Sequence, residues 1–193
     1  MIEDEQRYRA SAYGLLAALL RDAPAQAVLD HVASLSPQDD AESDALTGAM
    51  AALAQAARDA EPDPLEDEYH ELFIGLGRGE VVPYGSWYLT GFLMEQPLSD
   101  LREDLARLGF ARNENVAEPE DHVAAIFEVF SVMISEESSL SEQHNFYDKH
   151  MLPWIGRFFV DLGKAKSANF YQAVARFGAA FNELEKQYLS MRS

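Results

Sequence analysis

The chain contains no cysteine and few basic residues. The absence of cysteine in 193 residues excludes disulfide bonds, thiolate zinc sites, iron–sulfur ligation and cysteine nucleophiles. Lys and Arg number 15 against 33 Asp and Glu, which gives a formal net charge of -18. Such a charge disfavours nucleic-acid backbones and anionic membrane surfaces as partners. A basic partner, such as a basic peptide, suits it better.

The sequence also lacks a long apolar run. No apolar stretch approaches the roughly 20 residues that a membrane-spanning helix requires. The first six residues, Met-Ile-Glu-Asp-Glu-Gln, are acidic and have no basic region ahead of an apolar one, as a secretory leader would. We therefore expect a cytoplasmic protein without stable membrane insertion.

Apolar residues recur at helical spacing along most of the chain, and no segment shows the alternation of a strand. The pattern predicts an all-α fold, a single helical bundle of about nine to eleven helices in two closely packed sub-bundles. We expect an N-terminal sub-bundle over residues 1–109, a hinge over 110–117 and a C-terminal sub-bundle over 118–193. Helices are predicted over about 5–21, 24–34, 41–60, 64–74 with Asp63 as N-cap, 97–108, 119–134, 140–150, 153–162 and 168–189, with a further short helix after a loop within residues 81–88.

Residues 118–122 (Glu-Pro-Glu-Asp-His) place a polar cluster directly before an apolar helix. Pro119 suits the first helical position, so the first turn is expected to meet solvent. Glu118 and Asp121 would then offer two acceptors beside the imidazole of His122, which suits a guanidinium group. Substitution of exposed groups there should leave the melting temperature nearly unchanged. The alternative is that the acids only complement the helix dipole and that His122 caps a neighbouring loop.

Two other segments carry residues of interest. Three aromatic residues occur within residues 84–88, where they provide either core packing or rigid contact area for a ligand, and for Trp87 we favour packing. Glycines at positions 75, 77 and 79 suggest a phosphate loop, but no Lys-Ser or Lys-Thr follows and the glycines end a helix instead of beginning one. A phosphate-binding loop is therefore not expected here.

Three motifs together resemble the TorD/DmsD family. They are residues 69–73 (Tyr-His-Glu-Leu-Phe), residues 118–122, and residues 146–154 (Phe-Tyr-Asp-Lys-His-Met-Leu-Pro-Trp), with the Pro-Tyr-Gly-Ser loop 83–86 between the first two. Members of this family are cytoplasmic, all-helical chaperones dedicated to molybdenum-cofactor oxidoreductases. The resemblance extends over about residues 8–190.

The resemblance implies that the chain binds the twin-arginine signal peptide and the apo-form of a partner oxidoreductase, delaying export until the cofactor is inserted. It implies no catalysed reaction and no cofactor of the chain's own, although some relatives bind guanine nucleotides weakly. A monomer or a dimer exchanged at the hinge is expected. Together with Glu118, the peptide-binding residues would be Tyr69, Leu72, Phe73, Pro83, Tyr84, Tyr88, Asp121 and His122.

Two alternatives remain open. The chain could be a helical adaptor that binds another basic or amphipathic segment in a groove. It could also be an enzyme that uses Asp121 with His122, or a metal protein that uses His122 with His150. Adjacent helical residues diverge by about 100°, which makes the first pair geometrically poor. No two histidines have the His-x-x-x-His spacing that places both on one helix face, so catalysis is disfavoured.

Overall fold

The computed structural model describes residues 2–35, 44–111 and 118–191. These residues contain no β-strand, only an isolated antiparallel bridge between Tyr84 and His122, which confirms the all-α prediction. The described residues form the helices Ile2–Arg21 (α1), Gln26–Ser34 (α2), Ala45–Asp59 (α3), Pro62–Tyr69 (α4), Gly85–Thr90 (α5), Gln96–Arg107 (α6), Val123–Ser135 (α7), Leu140–His150 (α8), Ile155–Lys164 (α9) and Phe170–Met191 (α10), together with a π-helical turn, His70–Ile74.

One aromatic core joins the helices. Tyr13 of α1 makes edge contacts with Phe130 of α7 and Phe181 of α10, with ring centroids 4.9 Å apart in both pairs. Helix α10 also packs closely on α9, because a methyl group at Gly178 would lie only 2.1 Å from Cε1 of Phe159. Close packing of this kind fixes the relative positions of α1, α7, α9 and α10.

A buried ion pair ties α1 to α10. The guanidinium of Arg9 donates from Nε and Nη2 to the two carboxylate oxygens of Glu185, at 2.7 and 2.9 Å. Nη1 of Arg9 donates to Gln143 of α8 at 2.8 Å. Both charged side chains are almost fully buried, so the pair depends on these partners for its solvation.

The start of α7 differs from the prediction. Pro119 is not the first helical residue but lies in a turn, where its carbonyl oxygen accepts a hydrogen bond from the His122 N–H at 3.1 Å. The helix begins at Val123 with His122 as its N-cap. The expectation of a solvent-facing first turn is wrong, because Asp121 and His122 are only 3% and 7% exposed. The backbone here bridges to the 83–86 loop, and that pairing outweighs the preference of proline for a helix start.

Other predicted boundaries shift by a few residues. Helix α4 starts at Pro62 with Glu61 as N-cap, so Asp63 lies in the first turn instead of capping it. Residues 41–43 of the predicted 41–60 helix, and residues 112–117 of the predicted hinge, lie outside the described residues. The division into two sub-bundles stays a prediction. No helix within the described ranges combines the length and the apolar character needed to cross a membrane.

Candidate peptide-binding site

The site is built where the 83–86 loop meets the segment before α7. The Gly85 N–H donates to the carbonyl oxygen of Asp121 at 2.9 Å, and the Val123 N–H donates to that of Pro83 at 2.8 Å. The Ser86 N–H donates to Asp121 Oδ2 at 2.8 Å. Two motifs that lie about 35 residues apart in the sequence are thus fastened together by main-chain and side-chain hydrogen bonds.

The Asp121 carboxylate faces a small cavity. Its Oδ2 is paired with Ser86, whereas Asp121 Oδ1 and Ser86 Oγ are buried and have no hydrogen-bond partner among the described residues. The cavity measures about 120 Å³ and is also lined by Asp100, Leu89 and Trp154. A buried carboxylate oxygen without a donor is costly, so a donor group that reached this oxygen would be bound favourably.

His122 serves as a neutral helix cap. Its Nδ1 accepts the Ala124 N–H at 3.2 Å, so this nitrogen carries no proton. Burial lowers the pKa of His122 below its ordinary value, and the charges of Glu118 and Asp121 only partly oppose that effect. The ring packs edge-on against Tyr84, with centroids 5.1 Å apart. His122 therefore caps its own helix and packs against Tyr84, whereas the alternative interpretation expected it to cap a neighbouring loop.

Glu118 and Tyr84 form the solvent-facing part of the site. The Tyr84 hydroxyl donates a hydrogen bond to the Glu118 carboxylate, and Glu118 is exposed. Burial, followed by this hydrogen bond and the Glu118 charge, raises the pKa of Tyr84. The phenol therefore stays protonated at neutral pH and can act as a donor, while the carboxylate remains available to a cation.

Tyr88 lies one turn further along the same chain segment. Its ring stacks on Trp154 with centroids 5.6 Å apart, and its hydroxyl donates to Asp161 Oδ2 at 3.0 Å. Tyr88, Trp87 and Asp161 line two adjoining cavities of about 510 and 250 Å³. The sequence favoured core packing for Trp87, but in the structure this side chain is only half-buried and lines both cavities.

The remaining predicted residues lie behind this surface. Leu72 is fully buried, and Tyr69 is nearly so, with its hydroxyl donating to the Arg21 carbonyl oxygen at 2.7 Å. Phe73 is half-buried and contacts Tyr171 edge-on at 5.3 Å. Burial, followed by the charges of Asp22 and Glu118, raises the pKa of Tyr69. Direct peptide contact by these three residues stays a prediction.

The site residues are therefore partly assembled. The structure brings five of the predicted residues into direct contact, places Tyr88 next to them, and sets three more in the supporting layer. The five residues in contact are Pro83, Tyr84, Glu118, Asp121 and His122. Within the described ranges, no three His, Asp or Glu side chains are grouped so that they could hold a metal ion. His150 instead pairs with Asp104 at 2.7 Å.

A further cavity of about 790 Å³ lies between α1, α7 and α8. Its walls consist largely of serine, glutamine and small residues, and none of the predicted site residues contributes to it. This cavity offers a ligand neither the clustered carboxylates nor the aromatic faces found around Tyr84 and Tyr88.

The chain is similar to known proteins over most of its length. A family model described as the nitrate reductase delta subunit matches residues 39–160. The chaperone protein TorD of Vibrio atlanticus (strain LGP32) is 28% identical over 204 residues, covering 94% of both chains. TorD of Vibrio cholerae (strain ATCC 39315) is 30% identical over 136 residues, covering 65% of this chain and 62% of its own.

The fold is also found in a solved structure. The crystal structure of a putative redox enzyme maturation protein from Archaeoglobus fulgidus superposes with a TM-score of 0.58 at 18% identity and covers 92% of this chain and 93% of that one. The similar sequences are named chaperone proteins, which confirms the prediction of a non-enzymatic protein. From the matched family model and these relatives, the chain belongs to the TorD chaperone family, which the nitrate reductase delta subunit model represents.

Proposed function

We propose that this chain is a maturation chaperone that binds the twin-arginine signal peptide and the apo-form of a molybdenum-cofactor oxidoreductase, and holds it in the cytoplasm for cofactor insertion before export. The observation that carries this proposal is the set of hydrogen bonds that join residues 83–86 to the segment 118–123. That junction brings the exposed Glu118 carboxylate into contact with the Tyr84 ring, with the buried Asp121 carboxylate behind them.

The chemistry of the junction suits arginine. An exposed carboxylate accepts two parallel N–H bonds from a planar guanidinium, and Glu118 is such a carboxylate. Asp121 Oδ1 adds an unpaired acceptor in the adjoining cavity. The net charge of -18 favours the approach of a basic segment over that of an acidic one.

An apolar surface continues from the acidic one. A twin-arginine leader joins a basic segment to an apolar segment, and four exposed apolar residues follow Tyr88 at the end of α5 and in the turn between α5 and α6. These residues are Leu89, Phe92, Leu93 and Met94. Consecutive exposed apolar side chains are uncommon on a monomer without a binding role, and they would suit the apolar part of a leader.

The proposal predicts a preference for arginine over lysine. We expect a twin-arginine peptide to bind roughly ten-fold more tightly than the same peptide with Lys-Lys, because ammonium groups cannot form the two-pronged bond to a carboxylate. Isothermal titration calorimetry with both peptides, at low and physiological salt, measures the ratio. Both affinities should fall as salt rises, because exposed charges are screened.

The same titration separates the second candidate function. A helical adaptor that recognises only positive charge would bind the Arg-Arg and Lys-Lys peptides equally well, with equal salt dependence. Equal affinities would therefore contradict the proposed recognition of guanidinium groups and favour the adaptor.

A further inference from the structure

Two of the chain's own arginines lie against the aromatic rings beside the site. Cζ of Arg78 lies 5.0 Å from the ring centroid of Trp87, and Cζ of Arg157 lies 5.7 Å from that of Tyr88. Guanidinium groups at these distances are attracted to the ring faces. The side chains of Trp87, Tyr88 and Asp161, which we call the Trp87 wall, line both the 510 Å³ and the 250 Å³ cavity. Arg157 lines the first of these cavities, and Arg78 lines the second.

The two arginines are held very differently. Nη2 of Arg157 donates to the Tyr88 carbonyl oxygen at 2.7 Å and to that of Pro153 at 3.3 Å, so its position is fixed by α9 and the α5 segment. Arg78 is exposed, and among the described residues its guanidinium has the Trp87 ring as partner but no hydrogen bond or ion pair. An exposed contact of this kind changes affinity by only about two- to five-fold. Arg78 can therefore be displaced at small cost.

The charges around the smaller cavity point to the same conclusion. Arg78 and Lys164 there face Glu80 and Asp161, so the lining is balanced while Arg78 is in place. If Arg78 leaves, Lys164 is the one cation left among the described residues that line this cavity, while Asp161 keeps Arg157 on its other side and Glu80 keeps its hydrogen bonds from residues 166 and 167. An incoming cation would replace the positive charge that is lost. Arg78 also lies between Gly77 and Gly79: a methyl group added at Gly77 would meet no atom within 4 Å, whereas one added at Gly79 would lie 2.4 Å from the Leu72 carbonyl oxygen.

We propose that the Trp87 wall is the binding site for one arginine side chain of the leader. In the free protein Arg78 occupies this site, and it is displaced when the leader binds. The inference rests on the proposed function, because it names a residue of the same peptide as the incoming group. Arg78 would thus act as an intramolecular competitor that lowers the affinity for the leader.

The test compares two substitutions that remove the same charge from the same cavity. Arg78→Ala should bind a twin-arginine peptide about two- to five-fold more tightly than Lys164→Ala, because only the first also frees the Trp87 face. Both should bind more tightly than the unchanged protein through charge alone. In a Trp87→Leu background the difference between the two substitutions should vanish. Fluorescence anisotropy of a labelled peptide measures all affinities.

Each outcome decides the inference. Equal affinities of Arg78→Ala and Lys164→Ala, with clear binding by the unchanged protein, would overturn the competitor role and leave the proposed function intact. Weaker binding by Arg78→Ala would identify Arg78 as a peptide contact and would also overturn it. Absence of binding by all the proteins would overturn both the inference and the proposed function.

Discussion

Replacing Glu185 with glutamine is expected to lower the free energy of unfolding by about 3–5 kcal/mol, because the substitution leaves the Arg9 guanidinium buried without its countercharge. The two side chains are 3% and 0% exposed, and their two hydrogen bonds measure 2.7 and 2.9 Å. Water cannot replace the lost carboxylate at this depth. Urea unfolding followed by circular dichroism measures the change.

A matched control lies two residues earlier on the same helix. Glu183→Gln makes the same chemical change at an exposed position and should alter the free energy of unfolding by about 0.5 kcal/mol or less. Replacing Arg9 and Glu185 together with leucine should destabilise less than Glu185→Gln alone, because no charge is then left unpaired. A loss below about 1 kcal/mol for Glu185→Gln would contradict the importance assigned to this ion pair.

The second large effect concerns Asp121. Asp121→Ala is expected to weaken twin-arginine peptide binding by ten-fold or more, on the scale of one charged hydrogen bond. It should also lower the free energy of unfolding by about 1–3 kcal/mol, because the buried Ser86 N–H loses its acceptor at 2.8 Å. This replaces the expectation from sequence that substitution here leaves stability unchanged, since Asp121 is buried. Calorimetric titration and urea unfolding measure the two changes.

Asp100 provides the control for Asp121. It lines the same cavity but is half-exposed, and its carboxylate accepts from Gln96 within its own helix. Asp100→Asn should change stability by about 0.5 kcal/mol or less and weaken binding only through the lost charge. If Asp121→Ala lost stability but bound the peptide as tightly as the unchanged protein, Asp121 would be a structural residue only.

Most of the helices could be predicted from the sequence because their apolar periodicity is long and regular. Residues 140–150 were predicted as helix and form α8 with the same limits. The start of α7 could not be predicted in this way. Pro119 favours a helix start locally, but the main-chain bonds to Pro83 and Gly85 are tertiary contacts between distant segments, and these move the start to Val123.

The candidate site shows the same limit. Sequence reasoning could select Glu118 from its polar segment and Tyr84 from the family resemblance, and the structure places the two in contact. It could not show that Asp121 is buried and lines a small cavity. For Trp87 sequence reasoning favoured packing, and α5 has only six residues, too few for periodicity to distinguish its buried side from its exposed side. The contact of Arg78 with Trp87 depends on two separate segments meeting.

The central claim is that the leader binds beside Trp87. Because the protein has only two tryptophans, binding at this position can be measured directly. In protein labelled with ¹⁵N-tryptophan, each indole N–H gives one NMR signal. We predict that the Trp87 signal shifts progressively and saturates as twin-arginine peptide is added, whereas the Lys-Lys peptide shifts it less at the same concentration. A Trp87 signal that stays unchanged at saturating peptide, with the peptide instead cross-linked to the cavity between α1, α7 and α8, would contradict the account.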